Sequence, residues 1–363
     1  MWKKREKRIL RGTILYGILA ALFLFCALPA LAGENGTLLW WGNTDVSEPF
    51  KEKTLEYAAE ARVSVILGNQ PGETEETLKD FLVRSDPAAW EYPVTLYWSP
   101  GHGSGWAHVG GYTPTEIVAM VEEAKDAIGE KKIDTLILGP CYSGNIEVMS
   151  CFAGICKKIY GTPATATLDI VENWLIWIQD ARHKKRNASY EEYLGFAIQR
   201  FIDLGGAGSF GSLVDPEEAL AFLQALREKD LPASVFQDLR KGQFYYGTEL
   251  NDIWKLAEDH GLGDNLLSFT TLWNAPYGPQ WENHDECCYL GVWNGENEDL
   301  YIATVPEANR CIPGSSVTPD EPTPVPEGAA SGGGGGCMVG VQNFPALLLL
   351  IPLTVVMMKK GKK

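Results

Sequence analysis

Positive charge is scarce in the middle of this sequence. The 363 residues include 31 Lys and Arg against 47 Asp and Glu, a formal net charge of −16, and the basic residues crowd at the two ends. The first 32 residues carry a net +5 and those from 338 onward a net +4, so the stretch between stands near −25. Such a surface repels phosphate backbones, which argues against general nucleic-acid binding, and it favours solubility. No internal repeat is present, so a solenoid is not indicated. Charged residues make up only 21% of the chain and apolar residues 45%. A disordered chain is therefore excluded, and there is enough apolar material for one large domain or two modest ones.

The ends differ from the body. Lys3, Lys4, Arg5, Lys7, Arg8 and Arg11 oppose a single acid, Glu6, and an uncharged stretch from Gly12 to Gly33 follows. With Ala30-Leu31-Ala32 at its end, this reads as a secretory signal peptide over residues 1–32; an uncleaved signal anchor is the alternative. Cys26 follows Phe23-Leu24-Phe25 rather than the small residues that lipidation requires. At the far end, Pro313, Pro319, Pro322, Pro324 and Pro326 and then Gly332 to Gly336 mark a linker over residues 312–336. In the segment 337–363, the uncharged run from Met338 to Met358 is long enough to span a bilayer, and four terminal lysines would hold its end in the cytoplasm. This Gly-rich, Cys337, apolar, basic order resembles bacterial C-terminal sorting domains of the Synergistetes type. The resemblance implies a membrane partner and a sorting protease that processes the tail; a plain anchor helix is the alternative. Both ends then place the intervening body outside the membrane, exported to the cell surface or beyond. In an oxidising compartment Cys287 or Cys288 could pair with Cys311, and the sequence does not choose between them.

Within the body, strand and helix signals alternate. Thr37–Trp41, Val63–Leu67, Val94–Trp98 and Ile133–Leu138 are short apolar runs of the kind that parallel strands buried on both faces display. Between them lie helical stretches over Leu55–Ala61 and around Leu78, Phe81 and Leu82, and one opened by Thr113-Pro114-Thr115-Glu116, a capping box with Pro at its first position. Ile146, Met149, Phe152 or Ala153, Cys156 and Ile159 read as one further helical face. Thr165–Ile170, Tyr289–Trp293 and Leu300–Thr304 read as strands, and Ser189 and Asp215 as helix caps. The alternation predicts an α/β fold: a mostly parallel sheet flanked by helices over residues 33–185, with a C-terminal α+β extension over 186–311.

Two reactive residues fall at the carboxyl ends of such strands, where ligands bind in open α/β sheets. His102 follows Val94–Trp98 in Ser99-Pro100-Gly101-His102-Gly103, and Cys141 follows Ile133–Leu138 in Gly139-Pro140-Cys141. A cysteine nucleophile needs a nearby base, and Cys141 is expected just before a helix N-terminus, which would lower its thiol pKa. Gly103 and Gly144 would let backbone approach a substrate, and N–H groups at Gly103 and Cys141 would hold an oxyanion.

The order strand, His-Gly, helix, strand, Cys-x-x-Gly resembles the caspase–hemoglobinase clan of cysteine peptidases. His102-Gly103-Ser104-Gly105-Trp106 and Ile133 to Val148 resemble the clostripain family. Cys141-Tyr142-Ser143-Gly144 is also similar to the legumain-like and metacaspase Cys-x-Ser-Gly. The resemblance implies a His102–Cys141 dyad that hydrolyses peptide bonds of a peptide or protein substrate without metal or organic cofactor. It also implies basic specificity through carboxylates in the S1 pocket. Asp169 matches one of these, while Gly139 stands where the other would be. The same scaffold without turnover, serving as a cell-surface binding protein, is the alternative function, and an acyl transferase using the same dyad is another. Gly206-x-Gly208-x-x-Gly211 lacks the strand that a dinucleotide site needs in front of it. His284-Asp285-Glu286-Cys287-Cys288 is too compact to close around one ion. The basic run Arg182 to Arg186 reads as an exposed loop.

Overall fold

The computed structural model describes residues 36–42, 48–69, 76–85, 90, 92–163, 175, 211–239, 250–272 and 289–314. By contacts the chain divides into units 1–321 and 322–363, and every described residue belongs to the first. The expected signal peptide, the expected linker from residue 315, the apolar tail, Asp169, Cys287, Cys288, the basic run and the expected elements at 165–170 and 189 lie outside the described residues. So do Gly206, Gly208 and the run from His284. Among the described residues no helix is long and apolar enough to cross a membrane.

The first half alternates as expected: β1 (Thr37–Trp41), α1 (Glu48–Ala61), β2 (Ser64–Gly68), α2 (Leu78–Ser85), β3 (Val94–Trp98), α3 (Pro114–Ile128), β4 (Ile133–Leu138), α4 (Ile146–Ser150) and β5 (Cys156–Gly161). Then come β6 (Ser212–Val214), α5 (Pro216–Arg227), α6 (Ala233–Leu239), β7 (Leu250–Asp252), α7 (Trp254–Asp259), α8 (Gly263–Phe269), β8 (Thr270–Leu272), β9 (Gly291–Trp293) and α9 (Glu298–Thr304). Seven strands form one sheet in the order β2-β1-β3-β4-β5-β6-β8, and β7 and β9 form a second, two-stranded one. The four pairings from β2 to β5 are parallel; β5–β6 and β6–β8 are antiparallel. The sheet thus runs on past residue 185 into the extension. Its order reverses between β1 and β3, the switch point beside which open α/β sheets hold ligands.

The central strands form because their residues suit burial on both faces. Every residue of β1 and β3 is buried, and in β4 only Asp134 is not. That carboxylate lies at the strand's start, where it accepts from the Val94 N–H at 2.8 Å and pairs with Lys157 at 2.7 Å. Trp41 and Trp98 stand in register at the ends of β1 and β3, their rings stacked 6.2 Å apart.

Helix α3 carries the chain from β3 to β4 and is delimited by its own sequence. Thr113 Oγ1 accepts from the Glu116 N–H, while Glu116 Oε2 accepts from the Thr113 N–H at 2.8 Å. Gly129, with φ +62°, closes the far end. Its buried stripe is Ile117, Val121, Ala124 and Ile128, each large aliphatic contributing about 1.5–3 kcal/mol on burial. Asp215 likewise caps α5 through the N–H groups of Glu217 and Glu218.

Several expectations fail here. The helical reading of 146–159 holds only to Ser150. Gly154 takes φ +87°, and Cys156–Gly161 is strand β5, paired in parallel with β4. Leu300–Thr304, expected as strand, falls within helix α9, with Glu298 and Asp299 in its first turn, where they suit the helix dipole. Cys311 is not in a disulfide, as the pairing with Cys287 or Cys288 required. It is a fully buried thiol whose Sγ lies 3.2 Å from Tyr301 Oη. Ile312 is buried too, so the packed body reaches that residue.

Candidate active site

β3 and β4 are adjacent and in register, Trp98 opposite Leu138. The Gly139 N–H extends this ladder by donating to Trp98 O at 2.9 Å, and the Ser99 N–H donates to Trp41 O at 3.1 Å. The segments that carry His102 and Cys141 therefore leave the sheet side by side.

Past Pro100 the chain folds into a small hairpin. The Ser104 N–H donates to His108 O at 2.9 Å and the Gly110 N–H to His102 O at 2.7 Å, with Gly103 opposite Val109. In this pattern Gly103 and Val109 are the non-hydrogen-bonded pair, so the Gly103 N–H points away from the hairpin ladder. The tight return uses Gly105 at φ +84° and Gly110 at φ +64°. His102 is exposed. His108 Nδ1 lies 2.9 Å from Ser104 Oγ, and desolvation of its ring lowers its pKa.

Past β4, Gly139-Pro140 leads to Cys141, which is 5% exposed and not in a disulfide. Tyr142 then takes φ +54°, a left-handed conformation that costs a non-glycine residue about 1–3 kcal/mol. The two segments touch through backbone. A Cβ placed on Gly103 would lie 2.2 Å from Cys141 O and 3.1 Å from Pro140 Cβ, so only glycine permits this approach.

The surroundings correct two details and explain a third. First, Cys141 does not immediately precede a helix: α4 begins at Ile146, is capped by Asn145 Oδ1 accepting from Val148 N–H, and has five residues, a weak dipole source. Second, the close approach at Gly144 is to the protein itself. Its N–H donates to Thr162 O at 2.7 Å, and a Cβ there would lie 2.6 Å from Thr162 C. The Gly144 N–H is thus engaged and offers nothing to an oxyanion. Third, Gly139 has no room for a carboxylate. A Cβ there would lie 2.6 Å from Ser99 Oγ and 2.9 Å from Tyr97 Oη.

Glu147 was not among the residues the sequence singled out. It is wholly buried, and its Oε1 accepts from the Trp293 N–H at 3.0 Å and from the Tyr301 hydroxyl at 3.2 Å. Burial pushes its pKa up, partly offset by the Trp293 N–H. The signal was present as an acid within the apolar run Ile146-Glu147-Val148-Met149, where the helix is buried on every side. Burial likewise raises the thiols of Cys151 and Cys156 far above the ordinary range, consistent with packing roles.

No family model and no curated protein matches the chain. Among solved structures it is similar to an inactive zymogen of a C11 protease from Parabacteroides distasonis, at 13% identity and a TM-score of 0.48, over 72% of this chain and 92% of that one. It is also similar to a secreted C11 cysteine protease from Bacteroides thetaiotaomicron, "iotapain", at 12% identity and 0.47, over 74% and 99%. The likeness to a secreted C11 cysteine protease of the same organism in complex with an irreversible peptide inhibitor is 13% and 0.45, over 65% and 83%.

Proposed function

We propose that the chain is a cysteine-type endopeptidase in which His102 and Cys141 act as a dyad. The observation that carries this reading is the contact of the His102-Gly103 turn with the backbone of Cys141, at the carboxyl ends of two adjacent parallel strands. In the reaction, His102 takes the proton from Cys141 Sγ and the thiolate adds to the scissile carbonyl carbon. The resulting oxyanion is held by the N–H groups of Gly103 and Cys141. His102 then protonates the leaving amine, giving a thioester on Cys141, and returns as base for the water that hydrolyses it. The dyad supplies both nucleophile and base, so the chemistry calls for neither metal nor organic cofactor.

Three finer parts belong to the same reading. Asp169 serves as the S1 carboxylate that favours Arg or Lys before the scissile bond. Support for it is a match to the family pattern at one of two positions, and the crowding around Gly139 makes the pocket a one-acid site. Residues 1–32 direct export, on the strength of their basic, apolar, Ala-x-Ala order. Residues 337–363 attach the chain to a membrane or address it to a sorting protease.

The test is an electrophilic peptide probe on the full-length chain. Wild type is labelled at Cys141, Cys141→Ala is not, and His102→Ala is labelled far more slowly. Equal labelling of wild type and His102→Ala would remove the dyad. Asp169→Ala should lose any preference for Arg or Lys substrates while Cys141 still reacts.

A further inference from the structure

The C-terminal segment meets both loops of the dyad through one residue. Tyr301, on α9, is fully buried. Its ring packs edge-on against Trp106, with centroids 5.3 Å apart and planes at 77°, and Trp106 belongs to the hairpin that follows His102. Its hydroxyl lies 3.2 Å from Oε1 of Glu147, in the helix that follows the Cys141 loop.

The rest of the segment fixes Tyr301 in place. Trp293 stacks on its ring at 4.3 Å and 14°. The Cys311 N–H donates to its hydroxyl oxygen at 2.8 Å. Thr115 Oγ1, at the start of α3, donates to Thr304 O at 2.8 Å, and Asn309 Nδ2 donates to Ser150 Oγ at 2.8 Å. On the Cys141 side, the Gly291 N–H donates to Gly144 O at 2.7 Å, and Asn145 pairs with Gly291. Glu147 Oε2 is buried without a partner, so the carboxyl grips the segment through Oε1 alone. The titratable groups around the Tyr301 hydroxyl are Glu147 and Cys311, and the Cys151 thiol lies 3.1 Å from the backbone oxygen of Glu147.

We propose that Tyr301 is a positioning residue for the dyad: its ring seats the His102 hairpin through Trp106, and its hydroxyl seats the Cys141 loop through Glu147. The proposal rests on the peptidase reading above. An imidazole lowers a neighbouring thiol's pKa only while the two are held together. A fault in Tyr301 therefore shows as a changed titration of Cys141 as well as a changed melting temperature.

The experiment alkylates the full-length chain with iodoacetamide across about pH 5 to 10 and reads modification of Cys141 by peptide mass spectrometry. Wild type, Tyr301→Phe, Trp106→Phe, His102→Ala and the double variant Tyr301→Phe with His102→Ala are compared, with thermal melts on each. Tyr301→Phe keeps the ring and loses the hydroxyl; Trp106→Phe perturbs the other contact should the first variant fold poorly. The expected result is a midpoint raised by about one pH unit in Tyr301→Phe, which is roughly tenfold slower labelling well below the midpoint. Trp106→Phe shifts it in the same direction, and the double variant goes no further than His102→Ala alone. Tyr301→Phe and Trp106→Phe profiles that superimpose on wild type, while His102→Ala is shifted, would overturn the proposal and leave the dyad standing. Faster labelling at every pH with an unmoved midpoint would mean that Tyr301 only holds the fold, and overturns it too. Superimposed wild type and His102→Ala profiles would remove the dyad, and the proposal with it.

Discussion

Replacing Gly103 with alanine tests the contact between the two loops with one methyl group. Its Cβ would stand 2.2 Å from Cys141 O, where a carbon and a carbonyl oxygen rest at about 3.3 Å. The two backbones must part by roughly 1 Å, since the obstacle is main chain and cannot rotate away. A displacement of that size in a catalytic pair costs about a hundredfold in rate, or about 2.7 kcal/mol of transition-state stabilisation. The overpacking itself should lower stability by about 1–3 kcal/mol. Gly101→Ala is the control, because its Cβ would meet nothing closer than Gly110 O at 3.7 Å. It should stay within about 0.5 kcal/mol of wild type. Hydrolysis of a fluorogenic peptide and the labelling rate of Cys141, each beside a thermal melt, separate the two effects. A Gly103→Ala protein that turns over within about twofold of wild type would refute the claim that His102 and Cys141 are held by touching backbones.

Glu147→Gln should flatten the pH dependence of stability. Because the folded-state pKa of Glu147 is raised, the stability its neutral form contributes is complete below the unfolded value of about 4.3 and is lost as pH rises through the folded pKa. Denaturant midpoints of wild type minus Glu147→Gln, measured against pH, should fall over that window. Thr113→Ala removes the acceptor for the Glu116 N–H at the start of α3 and should cost about 1 kcal/mol by denaturant titration, with peptide turnover unchanged. Gly139→Asp, which places an acid two residues before Cys141, should destabilise by about 1–3 kcal/mol against Ser99 and Tyr97 and add no preference for Arg substrates in a peptide panel.

Where burial is complete on both faces, the sequence was a direct guide. β1, β3 and β4 were legible to the residue because a short apolar run bounded by turn residues has few other uses. α3 was legible because its cap, proline and acid are local chemistry. The region 146–161 misled because Cys156 and Ile159 satisfy a helical spacing and, with Tyr160 and Gly161, also a buried strand; the turn at Gly154 decided between them. At 300–304 the apolar letters suggest a strand, while the acids just before them, Glu298 and Asp299, mark a helix start. The placement of His102 and Cys141 beyond the ends of adjacent strands could be read from strand-end position, but the approach of Gly103 to Cys141 O could not. The engagement of Gly144 with Thr162 and the hub at Glu147 could not, because their partners lie far away in sequence and pairing of that kind leaves no local signal.

The pairing of Gly144 with Gly291 also sets an order in time. A nascent chain emerges from its N-terminus, so β1 to β5 and the loop after Cys141 leave the ribosome long before residues 289–311 are synthesised. Until then Gly144 O lacks the Gly291 N–H and Glu147 lacks the Trp293 N–H and the Tyr301 hydroxyl. Contacts this distant along the chain are slow to close. The loop bearing Cys141 therefore reaches its final shape among the last events of synthesis and folding, and a chain cut short before residue 289 leaves it without those partners.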